Sequence, residues 1–386
     1  MLIIKYLFLE DNPIMSLSSK FKITKNILLI LMLTTPFIIT ASALEITAIG
    51  KFEFFSNKSE VKIEQPDGLS GITYLGEQKY WAVSDRHAAA HELSIHLDLN
   101  TGEILKANSR PMLVLTNADG GLNKETWGAD REGIIYDNKN NRVCISNERT
   151  GSDVYSPSIS CHSIKSGKTT KVITSDTDIK LSVFANIRKN AGFESLSFDS
   201  QSNTIWTANE DALTVDGNEP THLTGSVVRL LQFNELLQPI KQLAYEVDSI
   251  EQLISADSSL VDREFSGLVE LLSLPTGELL ALERALVGDN FNQAAIRIRI
   301  YKVDYANATD ISQAPWLSGL LNSTIVYKKV NKKLLFEMFN PADFNTSNFE
   351  GITLGPKLIN GDYALILIAD NDSGLKQALY SLRLKL

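Results

Sequence analysis

Acidic side chains recur at five places in this 386-residue sequence, each time at the end of a β-rich run. The five clusters lie within residues 81–86, 144–149, 206–211, 280–284 and 367–372. Carboxylate and amide oxygens are the ligands that Ca²⁺ prefers, and paired carboxylates also serve as general acids and bases. If the clusters converge, the carboxylates need counter-charge, which either a hard divalent cation or the neighbouring arginines would supply.

A short motif precedes each cluster by 14 to 19 residues and consists of a small residue, Gly or Ser, followed by an aliphatic one. The motifs occupy residues 69–72, 131–134, 193–196, 265–268 and 349–352. A motif and its cluster account for two strands and a turn, and the spacing of 62 to 84 residues leaves room for two more strands. The repeat predicts an all-β fold, a β-propeller with five or six blades around a central channel. Glycine in the motif suits inner strands that crowd this channel.

The motifs and clusters supply the candidate site residues. The candidate metal ligands are Asp85, Glu148, Glu210, Glu283 and Asp370. The candidate catalytic residues are Glu132, Glu194 and Glu350, which recur in three motifs, and His87, which follows the first cluster. The candidate substrate-binding residues are Arg86, Arg149 and Arg284, which would orient an anionic group by paired hydrogen bonds. A structural network of arginines and carboxylates that ties the blades together is the open alternative.

Composition and missing motifs restrict the function. The formal charge of −9 leaves no basic surplus for nucleic acid. The sequence has no Gly-x-Ser-x-Gly nucleophile elbow and no Gly-x-Gly-x-x-Gly fingerprint. We therefore expect no nucleic acid as a partner and no organic cofactor.

The N-terminal segment has the pattern of a secretory signal peptide. Three lysines within 20–25 precede an apolar run, 27–39, and a small-residue cleavage site at 41–43. The run is shorter than the ~20 residues of a membrane span, so we expect no membrane span after cleavage. Met15 fits the signal-peptide pattern better as a start than Met1. The expected organisation is a signal peptide, 1–43, and one domain, 44–386, exported to the periplasm or secreted as a monomer; cleavage would take the formal charge from −9 to −11.

The two cysteines lie in strand-like segments on either side of the loop 150–157. A hairpin that is symmetric about this loop would place Cys144 opposite Cys161. The sequence leaves two outcomes open, a cross-strand disulfide and two buried thiols.

From about residue 60 to the C-terminus, the order of the five motifs resembles that in the phytase-like domain of exported bacterial proteins, the esterase-like activity of phytase family. The motifs that carry the resemblance include 67–72, 131–134, 192–196, 263–267 and 348–352. The resemblance implies a propeller-like all-β domain that hydrolyses phosphate or carboxylic esters. If the substrate is a phosphate ester, the acidic channel would repel it, and bound Ca²⁺ would reverse this electrostatic field. A non-catalytic envelope propeller that binds a ligand or a protein, and a lactonase-like metal-dependent propeller enzyme, are the alternatives.

Overall fold

The computed structural model describes most of the expected mature domain. It describes residues 44–53, 66–122, 129–149, 156–221, 223–250, 264–287, 295–318, 326–339, 347–371 and 377–386. The predicted signal peptide, 1–43, lies outside the described residues. Among the residues that are described, no helix is long and apolar enough to cross a membrane.

The described strands form five antiparallel sheets, so the fold is a five-bladed β-propeller, as the repeat predicts. From the channel outward, blade 1 is β2 (Leu69–Gly76), β3 (Lys79–Ser84), β4 (Ala89–Leu97) and β5 (Ile104–Ser109), with β6 (Leu113–Val114) paired to β4. Blade 2 is β7 (Asp130–Asp137), β8 (Arg142–Arg149), β9 (Ser158–Ser163) and β10 (Thr169–Thr174). Blade 3 is β11 (Ser197–Asp199), β12 (Thr204–Ala208), β13 (Ser226–Asn234) and β14 (Pro239–Val247).

Blades 4 and 5 complete the ring. Blade 4 is β15 (Glu264–Ser273), β16 (Leu279–Val287), β17 (Ala295–Asp304) and β18 (Asn331–Phe339). Blade 5 is β19 (Asn348–Lys357), β20 (Tyr363–Asp370), β21 (Ala378–Lys385) and, as its outermost strand, β1 (Glu45–Glu53). Because β1 pairs with β21, the two ends of the domain close the propeller within one sheet.

The innermost strands β2, β7, β11, β15 and β19 contact one another in a closed ring. Glycine is required where neighbouring strands approach most closely. A Cβ atom at Gly71 would lie 2.1 Å from the Glu132 carbonyl oxygen, and one at Gly133 would lie 2.3 Å from the Leu196 amide nitrogen. The motif glycines therefore allow the inner strands to pack backbone against backbone.

Each hydrophobic cluster between two blades follows from the alternation of side chains along the strands. On β12, Ile205 packs against blade 2, whereas its neighbour Trp206 packs against blade 4. The same alternation sends Ile145 towards blade 1 and Cys144 towards blade 3. Both faces of β8 and β12 are thus buried, which explains why these strands are apolar on both sides.

The interval between the fourth and fifth motifs is long enough for a sixth blade. Its described part contains a connecting segment that packs on blade 3. Arg229 of β13 donates two hydrogen bonds to Asp216 and two more to the carbonyl oxygens of Ile311 and Ala314. The Arg229 and Asp216 side chains are fully buried. A long connection within blade 4 therefore accounts for the described part of this interval. One 3₁₀ helix, Ile179–Asn186, precedes blade 3 and is capped by Asp178.

Cys144 and Cys161 form a disulfide across β8 and β9, with an S–S distance of 2.03 Å. The two residues are directly paired in the sheet register, as a symmetric hairpin requires. Of the two outcomes that the sequence left open, the structure therefore has the cross-link, which fixes the second and third strands of blade 2 to each other.

Candidate functional site

A cavity of about 270 Å³ lies where the inner strands begin, at the mouth of the central channel. Acidic residues from four blades line it, and we call these eight the channel cluster. They are Asp85, Asp130, Glu132, Glu148, Glu194, Glu210, Glu350 and Asp370. The cavity also receives Arg284, so the fold brings eight of the twelve sequence-predicted site residues together.

Two groups of three carboxylates within the channel cluster are spaced like the ligands of a metal ion. Asp130, Glu132 and Glu148 offer oxygen atoms that all lie within 4.8 Å of one another. Glu148, Glu194 and Glu210 form a second such group. Glu148 therefore belongs to both groups and stands where blade 2 meets blade 3.

Strand register explains how four blades deliver an equivalent acidic residue. Gly71 pairs with Val83, and Gly351 pairs with Ile368. Asp85 and Asp370 stand two residues beyond these partners, so they share a face with them and reach the channel. Glu148 and Glu210 occupy the matching places in blades 2 and 3.

Blade 4 departs from this pattern because its acidic residue is displaced by one position along the strand. Gly267 pairs with Arg284, so the equivalent channel position two residues further on is Leu286, which indeed lines the cavity. Glu283 lies one residue before Arg284, so its side chain points to the opposite face of the strand, away from the channel. It accepts hydrogen bonds from the Tyr245 hydroxyl at 2.6 Å and from Lys332 at 2.5 Å. The structure thus separates Glu283 from the other predicted metal ligands.

Three further predicted residues are not brought into the cavity lining. Arg86 hydrogen-bonds to Asp67 at 3.3 Å, and the partly exposed His87 has its Nε2 atom 3.9 Å from the same carboxylate. Both lie in the turn after β3, beside the channel mouth. The backbone of Arg149 ends β8, and its side chain lies outside what the structure describes.

Burial and mutual repulsion raise the pKa values of three glutamates of the channel cluster, Glu132, Glu194 and Glu210. Burial, reinforced by Asp130 and Glu350, raises the pKa of Glu132 well above its usual value. Burial also raises the pKa of Glu194, with Glu210 and Glu148 adding to the effect, and Glu148 shares a hydrogen bond with Glu194. The pKa of Glu210 is raised by burial too, although Arg284 opposes the shift. Carboxylates so placed favour either protons or a cation.

Arg284 is held by carboxylates of two other blades. Its guanidinium donates to Glu210 at 3.0 Å, to Glu350, and to the side-chain oxygen of Asn348 at 2.7 Å. Although burial opposes it, the Glu350 and Glu210 charges raise the pKa of Arg284. One arginine therefore neutralises part of the cluster on the side of blades 3 to 5.

Sequence reasoning missed several channel residues. Asp130 lies two residues before Glu132 on β7 and shares its face, so strand alternation could have found it. Asn348 hydrogen-bonds both Arg284 and Glu350 and gives no signal beyond its place before the fifth motif. Ser70, whose hydroxyl donates to Glu350 at 3.2 Å, lies within the first motif.

The donor set of the channel fits a hard divalent cation. Its two carboxylate groups offer oxygen ligands alone, without sulfur or imidazole. Ca²⁺ takes six to eight oxygen ligands in flexible geometry, whereas zinc sites are mostly built from nitrogen and sulfur. The buried acidic cluster therefore has the ligands to bind a metal ion.

A family model described as "Phytase-like: Esterase-like activity of phytase" matches residues 65–373. No curated protein matches the sequence. Among solved structures, a streptogramin B lyase is 10% identical with a TM-score of 0.32, over 89% of this chain and 98% of the other. The PQQ-bound aldose sugar dehydrogenase of Streptomyces coelicolor is 9% identical with a TM-score of 0.35, over 89% and 99%. An exo-1,5-alpha-L-arabinanase from a bovine ruminal metagenomic library is 9% identical with a TM-score of 0.38, over 82% and 93%.

Proposed function

Because the chain belongs to the phytase-like family, esterase-like activity of phytase, we propose that it is a metal-assisted hydrolase of phosphate esters or related esters. The reaction takes place in the channel cavity. The observation that carries the proposal is the pair of carboxylate groups that share Glu148, with oxygens within 4.8 Å of one another. Carboxylates this close and this buried require a counter-charge.

The residues that would hold the cation are Asp130, Glu132, Glu148 and Glu210, four of the five carboxylates of the two groups. A Ca²⁺ ion held there would neutralise the carboxylates, attract the oxygens of an ester and lower the pKa of an attacking water. An ester anion that the bare acidic cavity repels would then be attracted.

The chain's own residues supply proton transfer and orientation. Glu194, which holds its proton by burial and shares a hydrogen bond with Glu148, is the group we assign to protonate the leaving oxygen. Arg284 keeps a fixed positive charge at the cavity wall because Glu210 and Glu350 hold its guanidinium. Its role is to orient an anionic substrate group, and Asn348 helps to fix its position by accepting a further hydrogen bond from it.

We place this activity outside the cytoplasm. The signal-peptide pattern of residues 20–43 supports export. The disulfide between Cys144 and Cys161 supports the same conclusion, since such cross-links persist in oxidising compartments. The protein would thus act in the periplasm or after secretion.

A second candidate function, a non-catalytic propeller that binds an envelope ligand, rests on Arg284. Its donors already reach Glu210, Glu350 and Asn348, which joins blades 3, 4 and 5. An arginine that is held in this way also serves as a structural link. Under this alternative the channel cluster stabilises the ring and performs no chemistry.

The test is a hydrolysis panel on residues 44–386, with p-nitrophenyl phosphate, p-nitrophenyl acetate and a γ-lactone, each in Ca²⁺ and in EDTA. We expect hydrolysis of at least one p-nitrophenyl ester in Ca²⁺, its loss in EDTA, and a drop of about 100-fold or more in Glu194→Gln. Glu246→Gln, which neutralises an exposed carboxylate on β14, is the matched control and should retain full activity.

Two results would overturn the proposal. If neither EDTA nor Glu194→Gln changes the activity, the channel takes no part in the reaction. Absence of hydrolysis on all three substrates, together with a melting temperature that ignores Ca²⁺, would favour the non-catalytic propeller. Cleavage of the lactone alone would identify the lactonase-like alternative.

A further inference from the structure

A cavity of about 340 Å³ lies between blades 2 and 3, away from the channel. We call it the inter-blade pocket, and its polar lining includes Tyr136, Asn138, Lys139, Asn140, Asn203 and Glu235. Asp130, the first residue of β7, lines the channel mouth, whereas Asp137, the last residue of β7, lines the inter-blade pocket. At about 3.3 Å per residue, the length of β7 separates the two cavities by roughly 20 Å. The inter-blade pocket therefore lies at the end of the ring opposite the channel mouth.

The apolar part of the inter-blade pocket continues the hydrophobic core between blades 2 and 3. Ile135 and Ile205 line the pocket, are buried and belong to that core. Phe198 is the register partner of Ile205, so both side chains lie on the face of blade 3 that turns towards blade 2. Phe198 is 40% exposed, although it belongs to the innermost strand of its blade. The pocket thus presents an accessible aromatic ring beside a buried aliphatic floor.

Two carboxylates fix the orientation of two amide side chains in the pocket. The Asn140 amide nitrogen donates to Asp137 at 2.8 Å, and the Asn203 amide nitrogen donates to Glu235 at 2.8 Å. Because an ionised carboxylate only accepts hydrogen bonds, each amide must turn its nitrogen to the carboxylate and its oxygen away from it. Within the described part of the chain, neither amide oxygen receives a hydrogen bond. The pocket therefore holds two fixed amide oxygens that can accept hydrogen bonds from a ligand.

Asn138 and Glu235 add a donor and a further acceptor to the pocket. The Asn138 side-chain oxygen accepts a hydrogen bond from the Tyr136 hydroxyl at 3.3 Å, and its amide nitrogen donates to no described residue. Glu235 uses one oxygen, Oε2, for both Lys139 and Asn203, whereas Oε1 receives no hydrogen bond from the described residues. Donors and acceptors are therefore both available to a ligand without breaking a hydrogen bond of the protein.

The charges of the inter-blade pocket are paired within the protein. Lys139 Nζ lies 2.8 Å from Glu235, and Asp137 accepts a hydrogen bond from Arg142 at 2.8 Å. Every charged side chain among the described lining residues thus has an opposite charge beside it. A charged ligand would find no unpaired counter-charge, whereas neutral hydroxyl groups can donate to the amide oxygens and accept from the amide nitrogen. A sugar ring combines such hydroxyl groups with an apolar C–H face.

We propose that the inter-blade pocket binds a neutral sugar ring. The C–H face of the sugar packs on Phe198, and its hydroxyl groups donate to the amide oxygens of Asn140 and Asn203. Another hydroxyl group accepts from the Asn138 amide nitrogen. A volume of about 340 Å³ is at the lower end of the range for ligand pockets, which suits a single ring. This site goes beyond the ester hydrolysis proposed for the channel and does not depend on it.

The experiment is a saturation-transfer-difference NMR titration of residues 44–386 with glucose, galactose and N-acetylglucosamine. We expect saturable binding of at least one of the three at about millimolar affinity, which is usual for a ligand of about 12 to 15 non-hydrogen atoms. Mannitol, an open-chain polyol that has hydroxyl groups but no ring face, should bind at least about tenfold more weakly. Phe198→Ala should weaken sugar binding about tenfold, Phe198→Tyr should retain it, and Asn138→Ala should weaken it about threefold.

Matched control variants lie in the turn after β19 of blade 5. Ile359→Ala removes an exposed apolar side chain, and Asn360→Ala removes an exposed asparagine whose amide nitrogen donates to Asp362. Both variants, and Glu148→Gln in the channel, should bind the sugar as the unmodified protein does. Should Phe198→Ala fail to fold, Asn138→Ala with an unchanged melting temperature decides. The proposal is overturned if none of the three sugars shows saturable binding, if mannitol binds equally well, or if Phe198→Ala or Asn138→Ala leaves the affinity unchanged.

Discussion

Neutralising Glu148 should have opposite effects on stability with and without calcium. Glu148 belongs to both carboxylate groups, and Glu148→Gln removes its charge but keeps an oxygen that can accept the Gly192 amide hydrogen bond at 3.1 Å. Two full charges 4.8 Å apart repel by about 3.5 kcal/mol at an effective dielectric constant of about 20. Proton sharing with Glu194 already relieves part of this repulsion.

In EDTA at pH 8 we therefore expect Glu148→Gln to raise the free energy of unfolding by about 2 kcal/mol, or about 4 °C in melting temperature. In calcium at about 1,000 times its dissociation constant, the unmodified protein gains about 4 kcal/mol from binding. The variant, which lacks the shared ligand, gains little. The order of the two melting temperatures should thus reverse on adding calcium.

The assay is a thermal melt of both proteins in EDTA and in a calcium series. Glu246→Gln, an exposed carboxylate paired with Lys329, is the control and should follow the unmodified protein in every condition. The reasoning is refuted when Glu148→Gln melts below the unmodified protein in EDTA and the difference does not change in calcium. That result would make Glu148 a purely structural acceptor for Gly192.

Three further predictions concern stability. The folded pKa values of Glu132, Glu194 and Glu210 lie above the unfolded value, so the metal-free native state holds more protons than the unfolded state. Its unfolding free energy should therefore fall as pH rises above about 4.5. Urea midpoints in EDTA that are equal at pH 5 and pH 8, or greater at pH 8, would contradict this. Replacing both Cys144 and Cys161 by Ala should cost about 3 kcal/mol, because the disulfide closes a loop of 17 residues; urea unfolding with an unchanged midpoint would disprove it. Asp216→Asn leaves the Arg229 charge buried without its carboxylate and should cost about 3–5 kcal/mol; a cost below about 1 kcal/mol in the same assay would be inconsistent.

The propeller could be predicted from the sequence because its repeat is local. The motif glycines mark the places where inner strands touch, as at Gly71 and Gly133, and the acidic clusters mark the following strand. Residues one motif apart therefore take equivalent places in successive blades. The closing strand β1 and the connection that packs on Arg229 carry no repeat signal, because their contacts join distant parts of the chain.

The candidate site could be predicted only to within one residue. A shift of one position moves a strand side chain to the opposite face, and the sequence alone does not give the register. Blade 4 shows the consequence, since Glu283 pairs with Lys332 away from the channel while Arg284 enters it. Asp130 was missed because it lies one residue before the motif. It shares a face with Glu132 because both belong to β7, whose start the motif alone does not give.

The central claim is that the channel cluster binds a divalent cation, and calcium titration of metal-free residues 44–386 by isothermal calorimetry tests it most directly. The account predicts saturable binding of at least one ion per chain that tightens from pH 5 to pH 8, as protons leave the cluster. Glu148→Gln should weaken that binding at least about tenfold, whereas Glu246→Gln should not change it. No saturable binding by the unmodified protein, or equal affinity in Glu148→Gln, would contradict the account.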